Sequence, residues 1–545
     1  MEVTSANFSE YLPFILNDIS ASCFVSLDFE LSGVAFAPFI PTRPQTIQER
    51  YAQTKVAAEQ YQILQVGLTL CHENVETASY SLKPYNMNLN PIPHHESDIN
   101  RDWTSSSRAM GFLLKHGFSI DSLCQHGIQY LSRAEEQLAL ARVVERCQQT
   151  SRQTMDIKDD DHESLDFLAK VRTMITDWLA QGKGRVQWLN VPPPSEVQPL
   201  GSVREGLSSM EKWLVHQLIT QEFPNLRSRN TSKFIQIDVA DIECERVAQE
   251  LKLKTKKAQL QKHIGFRWIA ESLVGGNLEG LGAEMFNPVM RRIDNPSFEI
   301  NRVADRVKQR LQENRPVLVG HNMFCDLLFF HACFLGPLPD TIEEFQTVIH
   351  ELFPVVVDTK YLDTYDCGSI NPTSSLTDLH TKLKDVDSPK IEIDPRFSKY
   401  KWRKSNHEAG YDSMISAMAF IKLAGQIQRG PLATPTQCTL RPKPRISDSL
   451  EKQAAKGEFS DLFNMDTETF PVVQTSHLVQ IPKSLADTGC PKILLMANKG
   501  VLLPRLGSKF WGNYGNRLRV FGTVERMVRL GGNAVKAESH LLDID

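Results

Sequence analysis

The chain has 545 residues, of which 41% are hydrophobic and 23% charged, and 61 Lys+Arg against 65 Asp+Glu leave a net charge of −4. That is enough apolar material for a large core divided over roughly two to four domains, and the near balance of charge excludes an overall basic coat, so any nucleic-acid binding must be local. No basic segment followed by an apolar stretch opens the sequence and no apolar run has membrane-spanning length, which predicts an intracellular protein with no membrane partner.

The first element is a strand over residues 22–31 whose apolar run ends in Asp28-Phe29-Glu30. Side chains of a strand alternate between faces, so Asp28 and Glu30 leave the same side at its exposed end. Two carboxylates in one space repel unless a cation lies between them, and the usual cation is a divalent metal. The other reading is an ordinary polar edge behind a buried strand, and companions elsewhere must decide. Residues 38–45 read as a Pro-rich loop, 47–59 as a helix, and Tyr61 to Leu70 as a second strand, with a further strand near Tyr80-Ser81-Leu82. Helices are expected over 105–116 and 134–150, with Phe112 and Phe118 in the core.

From Asp156 the character changes. Asp159-Asp160-Asp161-His162-Glu163 stands before a helical pattern, where acidic side chains suit the positive end of a helix, and its spacing fits no calcium loop. Residues 182–202, with Pro192-Pro193-Pro194, read as a connection. A small α/β unit follows, with a helix over 205–222, a strand from Lys233 to Asp238 and a charged helix over 240–262; Lys212 and His216 share one face of its first helix. Residues 276–300 read as an extended connection.

A helix over 299–313 then leads to the strand Pro316-Val317-Leu318-Val319-Gly320. His321-Asn322-Met323-Phe324-Cys325-Asp326 opens a helix over 322–335, which turns Asp326 toward the end of the strand before it. Another buried strand, from Phe353, ends in Asp358-Thr359-Lys360, and a helix starts near Ser374. His407 precedes Asp412 by five positions at the head of a helix running to about Gln426, so both reach one cavity. In the tail, Arg441-Pro442-Lys443-Pro444-Arg445 reads as a solvated linker, and the segment from Phe510 to Gly522 as either an RNA-binding surface or a strand packing back on the rest. The ten cysteines stand singly with no Cys-x-x-Cys pair, so neither a zinc site nor a disulfide framework is indicated.

The residues assemble into a chemistry. Phosphodiester cleavage needs an activated water and a neutralised phosphate and leaving oxygen, which two divalent metals supply. Asp28, Glu30, Asp326 and Asp412 are hard oxygen ligands suited to two Mg²⁺ ions, with Mn²⁺ as the alternative. His407, an imidazole with an ordinary pKa of about 6.5, is the natural general base.

The ordered set resembles the exonuclease superfamily named for its four acidic residues, in the subclass with histidine, and within it the poly(A)-specific ribonuclease family with the related trimmers of small-RNA 3′ ends. The phrases that carry the resemblance are Leu27-Asp28-Phe29-Glu30-Leu31-Ser32-Gly33, Gln48-Glu49-Arg50-Tyr51, Phe112-Leu113 with Gly117-Phe118, Gly320-His321-Asn322-Met323 with Asp326, Pro337-Leu338-Pro339, Asp358-Thr359-Lys360, and His407-Glu408-Ala409-Gly410-Tyr411-Asp412. They span roughly residues 20–427.

The resemblance implies an α/β protein with a ribonuclease-H-like DEDD exonuclease core, a mixed sheet flanked by helices, and a small inserted α/β domain of the nucleic-acid-binding type named for an Arg-x-x-x-His pair, in which Lys212 stands for the arginine. The expected divisions are 1–155 and 271–427 for the nuclease core, 156–270 for the insertion and 428–545 for an unassigned extension. It implies that Asn322 and Lys360 contact substrate near the scissile end, and that Leu31, Val34 and Met110 line an apolar pocket for the terminal nucleotides. It also implies single-stranded RNA 3′ ends as partner, homodimerisation, and a nuclear and/or cytoplasmic location. The position of Leu31 is aromatic in the poly(A)-specific enzyme, and because stacking on an aromatic is worth ~1–3 kcal/mol per base, strict adenosine preference stays open.

Two functions follow from this reading. One is a Mg²⁺-dependent 3′-to-5′ exoribonuclease that shortens poly(A) tails or trims small RNAs and releases 5′-mononucleotides. The other is an RNA-binding scaffold on a nuclease fold without turnover. All four carboxylates and the histidine are present, which favours the enzyme.

Overall fold

Alternation in the first long strand sorts its side chains between two cores. Val25, Leu27 and Phe29 join one apolar cluster and Phe24 the other, so Ser26, Asp28 and Glu30 share the Phe24 face, as period two requires. The structure, a computed structural model, describes residues 1–35, 43–74, 77–148, 161–191, 206–240, 242–287, 300–313, 315–365, 375–402, 404–429, 503–504 and 508–531. The Arg441 to Arg445 segment lies outside these. The chain divides into two units, Met1–Glu136 with Gln261–Asp545, and Gln137–Leu260.

Among the described residues the strands are, in chain order, β1 (Glu2–Val3), β2 (Phe24–Leu31), β3 (Ile63–Asn74), β4 (Ser79–Asn90), β5 (Ile128–Gln129), β6 (Trp188–Val191), β7 (Leu226–Asn230), β8 (Ile235–Val239), β9 (Val317–Gly320), β10 (Val356–Asp358), β11 (Lys390–Ile393), β12 (Arg517–Arg519) and β13 (Met527–Arg529). Ten of them form the mixed sheet of the first unit, in the order β1-β4-β3-β2-β9-β10-β12-β13, with β5 and β11 also on β4. This is the mixed sheet flanked by helices that the sequence predicts. Strands β2, β9 and β10 are parallel, so their carboxyl ends lie together. Pairing of β2 with β9 stops at Ser26 and Val319, and β2 projects beyond it from Leu27 to Leu31. Crevices at the carboxyl ends of parallel strands are where ligands bind in such sheets.

Strand β4 is much longer than the sequence predicts and passes through Pro84, a residue that normally ends a central strand. The Pro84 carbonyl accepts from the Met1 amino group at 2.6 Å. In an antiparallel ladder the N–H and C=O of one residue face the same side, so the missing N–H falls on the outer edge and β3 loses nothing. That outer edge is covered in three places, by β1, β5 and β11.

Beyond Phe353 the expected strand narrows to β10, and Thr359 and Lys360 instead open a short helix, Thr359–Thr364, capped by Asp358. The helix expected over 322–335 is Phe324–Phe330 continued by a π-helical turn, His331–Leu335. In the tail, helix Lys509–Tyr514 and strands β12 and β13 extend the sheet beside β10. Of the two readings of this segment, the structure shows the strand. Asn516 accepts from the Val356 N–H at 2.8 Å, and Leu518, Val520, Val528 and Leu530 are buried in the main core. Leu518 is fully buried, and Leu518→Ala is therefore expected to cost about 2–4 kcal/mol in denaturant unfolding, despite its distance in sequence from the rest of the sheet.

In the second unit, Asp161 caps helix His162–Ala180 by accepting from the Ser164 N–H at 3.2 Å, which is the helix-start role read from its charge. Ser208 and Glu211 form a capping box on helix Ser209–Glu222. Residues 188–191, expected within a connection, form β6, antiparallel to β8; the three prolines after it lie outside the described residues. The Lys212 ammonium donates to the carbonyls of Thr231 and Ser232 at 2.9 and 2.8 Å, and His216 Nδ1 is 2.6 Å from Ser228 Oγ. Both side chains hold β7 and the turn that follows it.

Candidate active site

Of the four carboxylates singled out in the sequence, Asp28, Glu30 and Asp412 come together: one carboxylate oxygen from each lies within 4.8 Å of the other two. Asp412 is buried, and Asp28 and Glu30 are half-buried. Asp326, in the first turn of its helix, acts on the same group. Burial, and then the charge of Asp326, push Asp28 well above the usual carboxylate range. Burial followed by Asp28, Asp412 and Asp326 does the same to Glu30. Burial and Asp28 raise Asp412, opposed by the His407 N–H, which donates to Asp412 Oδ2 at 3.1 Å. Asp326 is pushed up to about 8 by burial and by Asp358.

Four carboxyl groups that hold one another's protons are a site short of positive charge. Hard oxygen donors converging on one space fit a divalent cation.

This has a measurable consequence. In the folded, metal-free chain these carboxyls keep their protons to a higher pH than in the unfolded chain, where they titrate near ~4. The folded state binds more protons across that window, so metal-free stability falls as pH rises from about 4 toward about 8. The gain in Tm on replacing EDTA by Mg²⁺ is therefore expected to grow between about pH 5 and about pH 8. A flat or shrinking gain in differential scanning fluorimetry would contradict the electrostatics described here.

Three polar side chains and one glycine of the sheet position the helix Ala409–Arg429, which bears Asp412. Gln65 Oε1 accepts from the Ala409 N–H and Asn86 Oδ1 from the Gly410 N–H, both at 2.9 Å, and Thr69 Oγ1 is 2.8 Å from Ser413 Oγ. Two of the orphan N–H groups of the helix start are thus satisfied from β3 and β4. Gly67, the partner of Asp28 across β2 and β3, lies against that start: a Cβ there would come within 1.7 Å of the Ala409 carbonyl oxygen. The sequence reading passed over all four. A signal was available, since polar side chains and a glycine inside an otherwise apolar, buried strand require partners or close neighbours.

His407 precedes the helix in a left-handed backbone conformation, φ +62°. Its ring meets Phe112 edge-on at 4.9 Å and His116 at 4.2 Å between centroids. Phe112, expected in the core, is half-buried and borders the site, and His116 is exposed.

The ends of β9 and β10 supply the opposite wall. Fully buried Asp358 accepts from the N–H groups of Asn322, Lys360 and Arg519 at 2.8, 2.9 and 2.9 Å. It thereby ties the Gly320 turn and strand β12 to β10. Asn322 has φ +62°, and His321 Nδ1 is 2.9 Å from Thr359 Oγ1. Burial, then Lys360, depress the His321 pKa well below the usual imidazole range, so His321 is neutral. Lys360 is buried with its ammonium 5.0 Å from the centroid of Phe521. Asp358 and Phe521 are site neighbours that the sequence reading did not assign.

Leu31 packs partly against the main core, and Met110 against Leu64, Leu113 and Leu123. The Ser32 carbonyl accepts from the Ser106 N–H and Ser32 Oγ donates to the Thr104 carbonyl, both at 2.7 Å. The segment with Leu31 and Val34 is thereby stitched to the turn that opens helix Ser107–Lys115, where Met110 stands.

Residues 3–420 match a family described as CAF1 family ribonuclease. The chain is 25% identical over 454 residues to the poly(A)-specific ribonuclease PARN of Xenopus laevis, which covers 78% of this chain and 63% of that protein. It is 24% identical over 483 residues to the pre-piRNA 3′-exonuclease trimmer of Bombyx mori, covering 85% of this chain and 77% of that one. The chain thus spans less than two thirds of the length of the Xenopus relative. Among solved structures, S. pombe Pop2p in its Mg²⁺- and Mn²⁺-bound form matches with a TM-score of 0.34 and 13% identity, over 77% of this chain and 89% of that one.

Proposed function

The chain belongs to the CAF1 family of ribonucleases, and from that premise we propose that it is a 3′-to-5′ exoribonuclease that removes 5′-mononucleotides from single-stranded RNA 3′ ends, by shortening poly(A) tails or trimming small RNAs. The observation that carries this reading is the convergence of Asp28, Glu30 and Asp412 within 4.8 Å at the carboxyl ends of the parallel strands, with the charge of Asp326 acting on Asp28 and Glu30. Asp28, Glu30, Asp326 and Asp412 would hold two Mg²⁺ ions. When bound, these neutralise phosphate charge and lower the pKa of water.

The chain's own residues do the rest. His407 accepts the proton of the water that attacks the terminal phosphorus, the bond from that phosphorus to the 3′ oxygen of the preceding nucleotide breaks, and the 3′ oxygen takes up a proton from solvent. The Asp412 contact at the His407 N–H holds the residue at the carboxylate cluster, and Phe112 limits the tilt of its ring. Asn322 and Lys360 contact the backbone near the scissile end. Leu31, Val34 and Met110 receive the last bases by apolar packing, which reads base identity weakly.

The test is degradation of 5′-labelled single-stranded RNAs with A-rich, U-rich and mixed 3′ tails, in Mg²⁺ or EDTA. Stepwise, metal-dependent shortening is expected, with the A-rich tail favoured by less than about tenfold because Leu31 offers no stacking platform. RNA binding without shortening of any tail would remove the catalytic reading and leave the scaffold.

A further inference from the structure

A second cluster of ligating side chains stands apart from the carboxylates. Among the described residues, one ligating atom from each of His94, Glu96 and His263 lies within 4.8 Å of the other two. His94 and Glu96 belong to the short turn that follows β4, and His263 is the first residue after helix Ile242–Lys262; all three are in the first unit. The His94 and His263 rings are nearly parallel, 9° apart, with centroids at 3.9 Å. His263 Nε2 is 3.1 Å from Glu96 Oε2, and the Glu96 N–H reaches His94 Nδ1 at 3.3 Å.

This is an unusual way to spend two imidazoles. An imidazole binds metal through the ring nitrogen that carries no proton, and here two rings meet one carboxylate. Two imidazoles and one ionised carboxylate are a three-ligand set that suits a four-coordinate ion with one exchangeable position. At either nitrogen of His94 the ion displaces the long 3.3 Å contact, at Nδ1 directly and at Nε2 by moving the ring proton to Nδ1.

We propose that His94, Glu96 and His263 bind a transition-metal cation of the zinc class. The site differs in kind from the carboxylate cluster. Oxygen ligands alone select Mg²⁺ or Mn²⁺, whereas imidazole suits borderline-soft ions, so the chain sorts two classes of metal between two places. Cysteine spacing predicts no zinc site, and this one needs no thiolate. The ion joins residues separated by 167 positions, from Glu96 to His263, and so acts as a clasp on the fold and takes no part in hydrolysis.

The test uses the full chain carrying Asp28→Asn and Asp412→Asn, which removes two of the three clustered carboxylates and so weakens the competing site. Zn²⁺ is titrated calorimetrically, and Co²⁺ is followed by its visible absorption. One ion per chain is expected, bound with a Kd of about 1 μM or tighter, with the intense Co²⁺ band of a four-coordinate site. His263→Gln and, separately, His94→Gln are each expected to weaken binding by about 100-fold or more, with the circular dichroism in EDTA unchanged. In the chain with native carboxylates, His94→Gln is expected to leave the exonuclease rate in saturating Mg²⁺ unaltered. Absence of stoichiometric Zn²⁺ binding, or binding undiminished in both histidine variants, would overturn the proposal, whatever the result of the RNA assay.

Discussion

Asp28→Asn is expected to lower the exonuclease rate on the order of 10³-fold or more while raising the Tm of the metal-free protein at about pH 8 by roughly 2–4 °C. The two effects share one cause. Asparagine keeps the size and hydrogen-bonding shape of the side chain but removes a negative charge from a place where burial and Asp326 already disfavour it. The apo fold gains what the charge cost, and the metal loses a ligand. The Mg²⁺-dependent rise in Tm should shrink in the same variant. Paired measurements of rate and of Tm with and without EDTA separate this from simple misfolding, which would lower both. An Asp28→Asn protein that keeps its rate would remove Asp28 from the chemistry.

The second large effect concerns a residue with no side chain. In Gly67→Ala the new Cβ would lie 1.7 Å from the Ala409 carbonyl oxygen and 2.1 Å from its carbon. Both are backbone atoms at the start of the helix that carries Asp412, and neither can rotate away. The helix must lift from the sheet, drawing Asp412 from Asp28 and Glu30 and straining the bonds from Gln65 and Asn86. Overpacking of this sort costs about 1–3 kcal/mol, and a displacement on the order of 1 Å at a reacting centre costs about 10²-fold in rate. Gly111→Ala is the control, because a Cβ there meets nothing within 4 Å. Equal rates for the two variants would show that the close approach at Gly67 does not set the position of Asp412.

Much of the carboxylate site was legible because each part is announced locally. Asp28 and Glu30 follow from period two at the end of an apolar run, Asp326 from its place just after a strand, and Asp412 from the head of an amphipathic helix. What escaped depends on residues that meet only in three dimensions. Nothing near Gln65 or Asn86 in sequence says that their amides cap a helix more than 300 residues later. Asp358 reads as a strand end until the tail supplies the Arg519 N–H that completes its hydrogen bonds. Strand β12 has three residues, too few for any periodicity, and its place is set by the β10 edge that receives it. Strand β4 runs on through Pro84, because the rule against proline in strands holds only when the missing N–H faces a partner.

The strand order has a consequence for synthesis. Strand β2, in the middle of the sheet, pairs on one side with β3, which follows it closely, and on the other with β9, whose residues are made almost three hundred positions later. At the usual rate of about 5–20 residues per second the ribosome needs roughly 15–60 s to cover that gap. During this time the nascent chain carries an unpaired hydrophobic edge, a template for wrong pairing. The second unit, being contiguous from Gln137 to Leu260, can fold within that interval from its own core. The first unit is committed early but completed late, and its yield in cells should therefore depend on chaperones that shield β2 more than on the stability of the finished protein.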